Sequence, residues 1–186
     1  MDAITLLRDD HQTVEKLFQR YEETTDRALK TRRSLVDKMI EELAVHAELE
    51  EQLFYPAVRA LDPDDEGEVL EALEEHHIVT WLLSELEGMP AEHQRFHAKV
   101  TVLIELVRHH VEEEEDDLFP GVRDTLGRKE LQDLGQNMRD LKPHVPTRPH
   151  PRTPDEPPGN MIAAAGGKIV DNAKEALETA VKSLKR

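Results

Sequence analysis

The sequence predicts an all-α protein made of two related helical hairpins, followed by a short fifth helix and a C-terminal helical appendage. Three observations lead there. An eleven-residue phrase occurs twice, 64 positions apart, at His46 to Pro56 and at His110 to Pro120. Each copy sets a histidine and a glutamate four residues apart, His46/Glu50 and His110/Glu114, and closes on apolar residues and a proline. A second repeat lies upstream of each: Asp10-His11 with Val14 and Leu17, then Glu75-His76 with Val79 and Leu82. Residues i and i+4 share a helix face about one turn apart, roughly 6 Å along the axis, so an imidazole and a carboxylate can grip one metal ion or two adjacent ones. Duplication of the pattern predicts a pseudo-twofold bundle with a two-metal centre on its axis.

The elements follow from helical periodicity. Residues 2 to about 26 form a first helix, with Leu6, Leu7, His11, Val14, Leu17, Phe18 and Tyr21 at three- and four-residue steps. A second runs from about 31 to 60, its stripe carrying Leu35, Met39, Leu43, His46, Glu50 and Leu53. Turn chemistry over 62–67 separates it from a third helix, about 66–88, with Val69, Ala72, Leu73, His76, Val79, Leu83 and Leu86 inward. Gly88-Met89-Pro90 stops that helix, and a fourth spans about 91–119 through Leu103, Leu106, Val107, His110, Glu114 and Leu118. A fifth, near 128–142, is a lid or end-cap. Seven of the 11 prolines then fall between Pro143 and Pro158, which predicts a stiff linker over 143–160. Residues 161–186 read as an amphipathic helix able to dock on the bundle, self-associate or bind a partner.

Composition narrows the function. The chain of 186 residues carries a formal charge of −16, which argues against nucleic-acid binding. That charge is uneven: residues 143–186 hold 7 basic and 5 acidic residues, leaving −18 on residues 1–142. The absence of cysteine excludes thiolate-held zinc, iron–sulfur clusters and disulfides, and fits a reducing compartment. Met1-Asp2-Ala3 leads straight into charged sequence without a secretory apolar core, and no apolar run approaches the ~20 residues of a membrane span. The expected location is cytoplasmic.

His11, His46, His76 and His110 each interrupt an otherwise apolar stripe, as do Glu50 and Glu114. A buried glutamate costs several kcal/mol unless paired or coordinated, and a cation supplies the missing charge. His109 and Glu113 also have i,i+4 spacing, but only His110 and Glu114 keep the distance to Pro120 that His46 keeps to Pro56. His77 and His109 are accordingly placed outside the ligand set. Glu51, Glu115, Asp116 and Asp117 read as a solvated face. Asp10 and Glu75 could accept hydrogen bonds from ligand imidazoles, although their adjacency to His11 and His76 favours solvent. A ferritin-like centre needs paired Glu-x-x-His motifs, and only Glu74/His77 meets that spacing.

Asp10-His11, His46 through Glu51, Glu75-His76 and His110 through Glu115 resemble the hemerythrin-like HHE cation-binding family, over about residues 1–142. The resemblance implies an up-and-down four-helix bundle holding two non-haem iron ions with an oxo or hydroxo bridge. It makes His11, His46, His76 and His110 terminal ligands and Glu50 and Glu114 bridging ones. Oxygen-carrying hemerythrins place two histidines one turn apart in the third helix; the positions one turn either side of His76 are Ala72 and Thr80. One ligand is therefore missing, to be replaced by Tyr55, by Glu51 or by an open position. The implied function is binding or reduction of O2, H2O2 or NO, with peroxidase-, catalase-like or NO-reducing activity. The alternative is an iron or oxygen sensor, or a metal-handling protein without turnover.

Overall fold

A computed structural model describes residues 1–60 and 66–152. These residues form an all-α bundle. Helix α1 spans Ala3–Glu22, α2 Leu29–Leu49, α3 Tyr55–Arg59, α4 Glu66–Leu86, α5 Phe96–Glu113, α6 Phe119–Thr125 and α7 Arg128–Leu141. Helices α2 and α3 make one bent rod, as do α5 and α6, so the architecture is four long rods and a fifth helix. The amphipathic helix expected over 161–186 lies outside the described residues.

Helix α1 starts where Asp2 accepts a hydrogen bond from the Thr5 amide at 2.8 Å, satisfying one of the first-turn donors. It stops at Glu22, short of the predicted 26, where Thr24 folds its hydroxyl back onto the Tyr21 carbonyl at 2.6 Å. Gly88, with φ +71°, closes α4 in a conformation that suits glycine. Residues 91–95, expected to be helical, form consecutive tight turns instead, with His93 N–H bonded to Pro90 and Phe96 N–H to His93.

Both bent rods change pitch at the same place in the repeat. Glu50–Phe54 and Glu114–Leu118 are single π-turns, in which the Tyr55 amide bonds the Glu50 carbonyl and the Phe119 amide that of Glu114. Each is followed by a proline, Pro56 or Pro120, which has no N–H and whose ring crowds the carbonyl four residues back. The ladder widens by one residue to accommodate it. In an uninterrupted α-helix Tyr55 would stand about 140° round from Glu50. The i+5 bond brings it nearly over Glu50, onto the inner face.

The hairpins α1/α2 and α4/α5 pack together, with α2 against α4. Two apolar layers result. One contains Val14, Phe18, Met39, Leu83, Phe96 and Leu103, and the other Ile4, Leu7, Leu49, Phe54, Val69 and Phe119. Between them lie His11, His46, His76 and His110, the only buried histidines among the described residues. Helix α7 covers the α1 side of the second layer through Leu131 and Met138. Val145, beyond the expected end of the bundle at 142, is 1% exposed in that same layer, and Arg148 reaches Glu87 at 2.7 Å. Packing therefore continues into the proline-rich stretch.

Helix α7 approaches α1 closely enough that a Cβ on Gly135 would meet the Ala3 backbone nitrogen at 2.6 Å. Gly135→Ala is expected to destabilise the protein by about 1–3 kcal/mol, since backbone cannot yield as a side-chain tip can. A thermal melt checks this; an unchanged midpoint would show that α7 docks loosely.

Candidate metal centre

The π-turns and the helical spacing bring the six sequence-predicted residues together in the middle of the bundle. His11, His46, His76, His110, Glu50 and Glu114 are all buried. Their ligand atoms fall into two sets, each within 4.8 Å of one another: His11, His46, Glu50 and Glu114 in the first, Glu50, His76 and His110 in the second. Glu50 belongs to both. Its Oε2 lies 3.1 Å from Nε2 of His46 and 3.4 Å from Nε2 of His76. Glu114 spans the sets from the other side, its Oε2 being 3.3 Å from Nε2 of His11 and 3.6 Å from Nε2 of His110. The pseudo-twofold relation holds in the ring packing: centroids of His11 and His46 are 4.9 Å apart, and those of His76 and His110 4.7 Å.

Tyr55 and Phe119 occupy equivalent positions and break the symmetry. Phe119 stacks on His11 with centroids 5.8 Å apart. Tyr55, 1% exposed, donates its phenol to Oε1 of Glu114 at 2.9 Å. Its Oη also lies 3.3 Å from Nε2 of His76 and 3.5 Å from Nε2 of His110.

A ring of four carboxylates surrounds the imidazoles, and sequence reasoning had placed it mostly in solvent. Nδ1 of His11 meets Glu115 at 2.8 Å, Nδ1 of His76 meets Glu51 at 3.0 Å, and Nδ1 of His110 meets Glu75 at 2.7 Å. Nδ1 of His46 faces Asp10 at 4.0 Å, and Lys142 holds both Asp10 oxygens at 2.7 Å. A carboxylate only accepts, so each Nδ1 bonded to one carries a proton, which leaves Nε2 as the inward-facing atom available to a cation once the ring is neutral. Glu51 is thus spent on the back of His76 rather than standing in the inner sets. The duplication held the clue, because Glu51 and Glu115 are 64 positions apart and Asp10 and Glu75 are 65.

Electrostatically the centre lacks positive charge. Burial alone would depress the His46 imidazole, yet Glu50, Asp10 and Glu114 raise it to about 10. Burial works the same way on His76, and Glu50 with Glu51 likewise raises it to about 10. Burial pushes the Glu50 carboxyl up, but His46 and His76 outweigh that and hold it well below the usual range. For Tyr55, burial and the charges of Glu114 and Glu50 all act to keep the phenolic proton on.

The inward atoms fit a cation. Nε2 of His11, Nε2 of His46, both oxygens of Glu50 and Oε2 of Glu114 are buried with no hydrogen-bond partner. Orphaned buried donors and acceptors are costly, and a metal ion satisfies all of these at once. His77 is exposed and His109 is 61% exposed, both outside the inner sets.

This bundle with a buried His/Glu cluster is the architecture of hemerythrin-like proteins. The hemerythrin HHE cation binding domain family matches residues 2–122, and the chain belongs to it. It is 26% identical over 170 residues to an uncharacterized hemerythrin-like protein of Schizosaccharomyces pombe, a match covering 91% of this chain and 83% of the relative. It is also 26% identical over 148 residues to a DNA nickase of Nostoc, covering 80% of this chain but only 41% of that protein. Among solved structures, a hemerythrin HHE cation binding domain-containing protein of Mycobacterium kansasii, a homolog of Rv2633c, superposes with a TM-score of 0.65 at 25% identity. That likeness covers 77% of this chain and 86% of the other. No described helix is long and apolar enough to cross a membrane.

Proposed function

We propose that this is a non-haem di-iron protein that binds or reduces a small oxidant: O2, hydrogen peroxide or nitric oxide. The observation that carries the reading is the pair of buried donor sets sharing Glu50, with five inward atoms left without hydrogen-bond partners. His11 and His46 would hold one ion, His76 and His110 the other, with Glu50 and Glu114 between them. Imidazole and carboxylate donors suit iron, manganese or zinc. When bound, a pair of irons supplies ferrous–ferric electron transfer to a small oxidant.

The chain's own residues would do the rest. Glu115, Glu51 and Glu75 fix the imidazole tautomers, keeping Nε2 aimed inward. Tyr55 is the candidate for the donor that Ala72 cannot supply; its buried phenol loses its proton only if a cation offsets Glu114 and Glu50. A cavity of about 30 Å³ adjoins the four imidazoles, walled by Val14, Leu43, Val79 and Val107. It has room for one water-sized molecule, and its apolar walls favour a small neutral ligand over an ion. DNA nicking does not transfer from the Nostoc relative, because most of that protein lies outside the match and a charge of −16 repels phosphodiesters.

The test is metal analysis with an ultraviolet–visible spectrum before and after hydrogen peroxide. About two irons per chain with near-ultraviolet charge-transfer absorption that peroxide alters is the expected result. A broad visible band that Tyr55→Phe abolishes, with iron content unchanged, would identify a tyrosinate ligand. Stoichiometric iron that peroxide leaves inert would favour the alternative, a sensor or metal-handling protein without turnover. Zinc, or no stoichiometric metal, would overturn the oxidant reading.

A further inference from the structure

The pseudo-twofold relation fails on one face of the bundle. In the first hairpin, Leu6, Val45 and Leu49 are buried under α7, with Leu53 packed against them. The repeat offsets of 65 and 64 carry these four to Glu71, His109, Glu113 and Asp117 in the second hairpin. No helix among the described residues covers that side. Instead a pocket of about 220 Å³ opens between α4 and α5, walled by Glu71, Glu75, Glu113 and Asp117. His110 and Glu114 of the inner cluster also line it.

Two features distinguish this pocket from an ordinary solvated acidic face. Glu75 and Glu113, which line it, and the adjoining exposed His109 present ligand atoms within 4.8 Å of one another, with Nε2 of His109 3.3 Å from Glu113. Glu114, 2% exposed, lines the pocket from within, and its Oε2, which has no hydrogen-bond partner, lies 3.3 Å from Nε2 of His11 and 3.6 Å from Nε2 of His110. Glu75 also joins outside to inside directly, because it holds Nδ1 of His110 at 2.7 Å.

We propose that this vestibule is a cation-loading site, in which Glu75, His109 and Glu113 capture a divalent transition-metal ion and pass it inward to Glu114 and His110. The destination rests on the two-metal reading above; the vestibule itself does not. One imidazole and two carboxylates on a solvent-facing rim suit weak capture of a first-row divalent cation rather than permanent retention. The surrounding carboxylates focus the field into a low-dielectric cleft and raise the local cation concentration. On the sealed face the carboxylate equivalent to Glu75 is Asp10, and Lys142 neutralises it.

The experiment is a cobalt(II) titration of the metal-free full chain by calorimetry and visible absorption, with stopped-flow measurement of loading. The His109→Gln/Glu113→Gln double variant alters two solvent-facing side chains and leaves the inner six intact. A charge-reduced control, Glu41→Gln/Asp133→Asn, removes two exposed carboxylates elsewhere. Expected are two tight sites and one weaker site in the wild type, loss of only the weaker one in His109→Gln/Glu113→Gln, and about tenfold slower loading. The control should load at the wild-type rate. An unchanged loading rate overturns the loading role, as does equal slowing in both double variants, which would mark a diffuse field. One weak site that the double variant removes, with none deeper, would support cation capture in the vestibule while sinking the two-metal reading and the inward transfer.

Discussion

Glu50→Gln is expected to reduce bound metal from about two ions per chain to at most one, the largest loss from any single near-isosteric change. Glu50 is the donor common to both sets, 0% exposed, with both oxygens lacking hydrogen-bond partners. An amide of the same shape keeps the packing but presents one neutral oxygen and an NH2 group, which repels a cation. Glu114→Gln should be milder, because the set of Glu50, His76 and His110 survives it. The measurement is metal content after loading and desalting, with circular dichroism of the chelated proteins to confirm that each variant is folded. Two tightly held ions in Glu50→Gln would refute the shared-carboxylate arrangement.

The inner six residues were legible because duplication supplies what a single histidine cannot. One His-x-x-x-Glu pair is unremarkable on any helix, but two at matched distance from a proline are constrained by a common geometry. The outer carboxylates were harder to read for a physical reason. Glu51 follows Glu50, and adjacent residues point about 100° apart on a helix, so Glu51 looks turned away from the site. It is turned away from its own helix's ligands and toward the back of His76 on α4, 25 positions on. Glu115 does the same for His11 on α1. Such pairings become visible only when the helices are set side by side.

Helix existence followed from periodicity, while pitch did not. Leu6 through Tyr21 and Val69 through Leu86 are buried where the stripe placed them. The π-turns at Glu50 and Glu114 left only Pro56 and Pro120 as their signature. Without that extra residue per turn, the Tyr55 phenol would miss the centre. The open face between α4 and α5 was likewise written in Glu71, His109, Glu113 and Asp117, but its meaning depends on knowing that α7 covers the equivalent positions.

Metal removal should reverse the sign of the protein's response to alkali. In the metal-free chain, His46 and His76 titrate at about 10, against an ordinary value near 6.5. A raised folded value stabilises fully below the unfolded one and is lost as pH climbs through the folded one. Glu50, held well below its ordinary 4.5, gives stability present above that value and lost under acid. The metal-free protein should therefore be most stable between about pH 4.5 and 6.5, and lose on the order of a few kcal/mol by pH 10. Metal binding demands the opposite protonation: imidazoles must be neutral, so loading at pH 7 displaces protons from His46 and His76. Affinity should accordingly rise across the interval in which metal-free stability falls. Denaturation of chelated and loaded protein from pH 5 to 10 checks this, and calorimetry in buffers of differing ionisation enthalpy counts the released protons. A metal-free stability that holds steady from pH 6.5 to 10, or loading without proton release, would show that the carboxylates do not keep His46 and His76 charged.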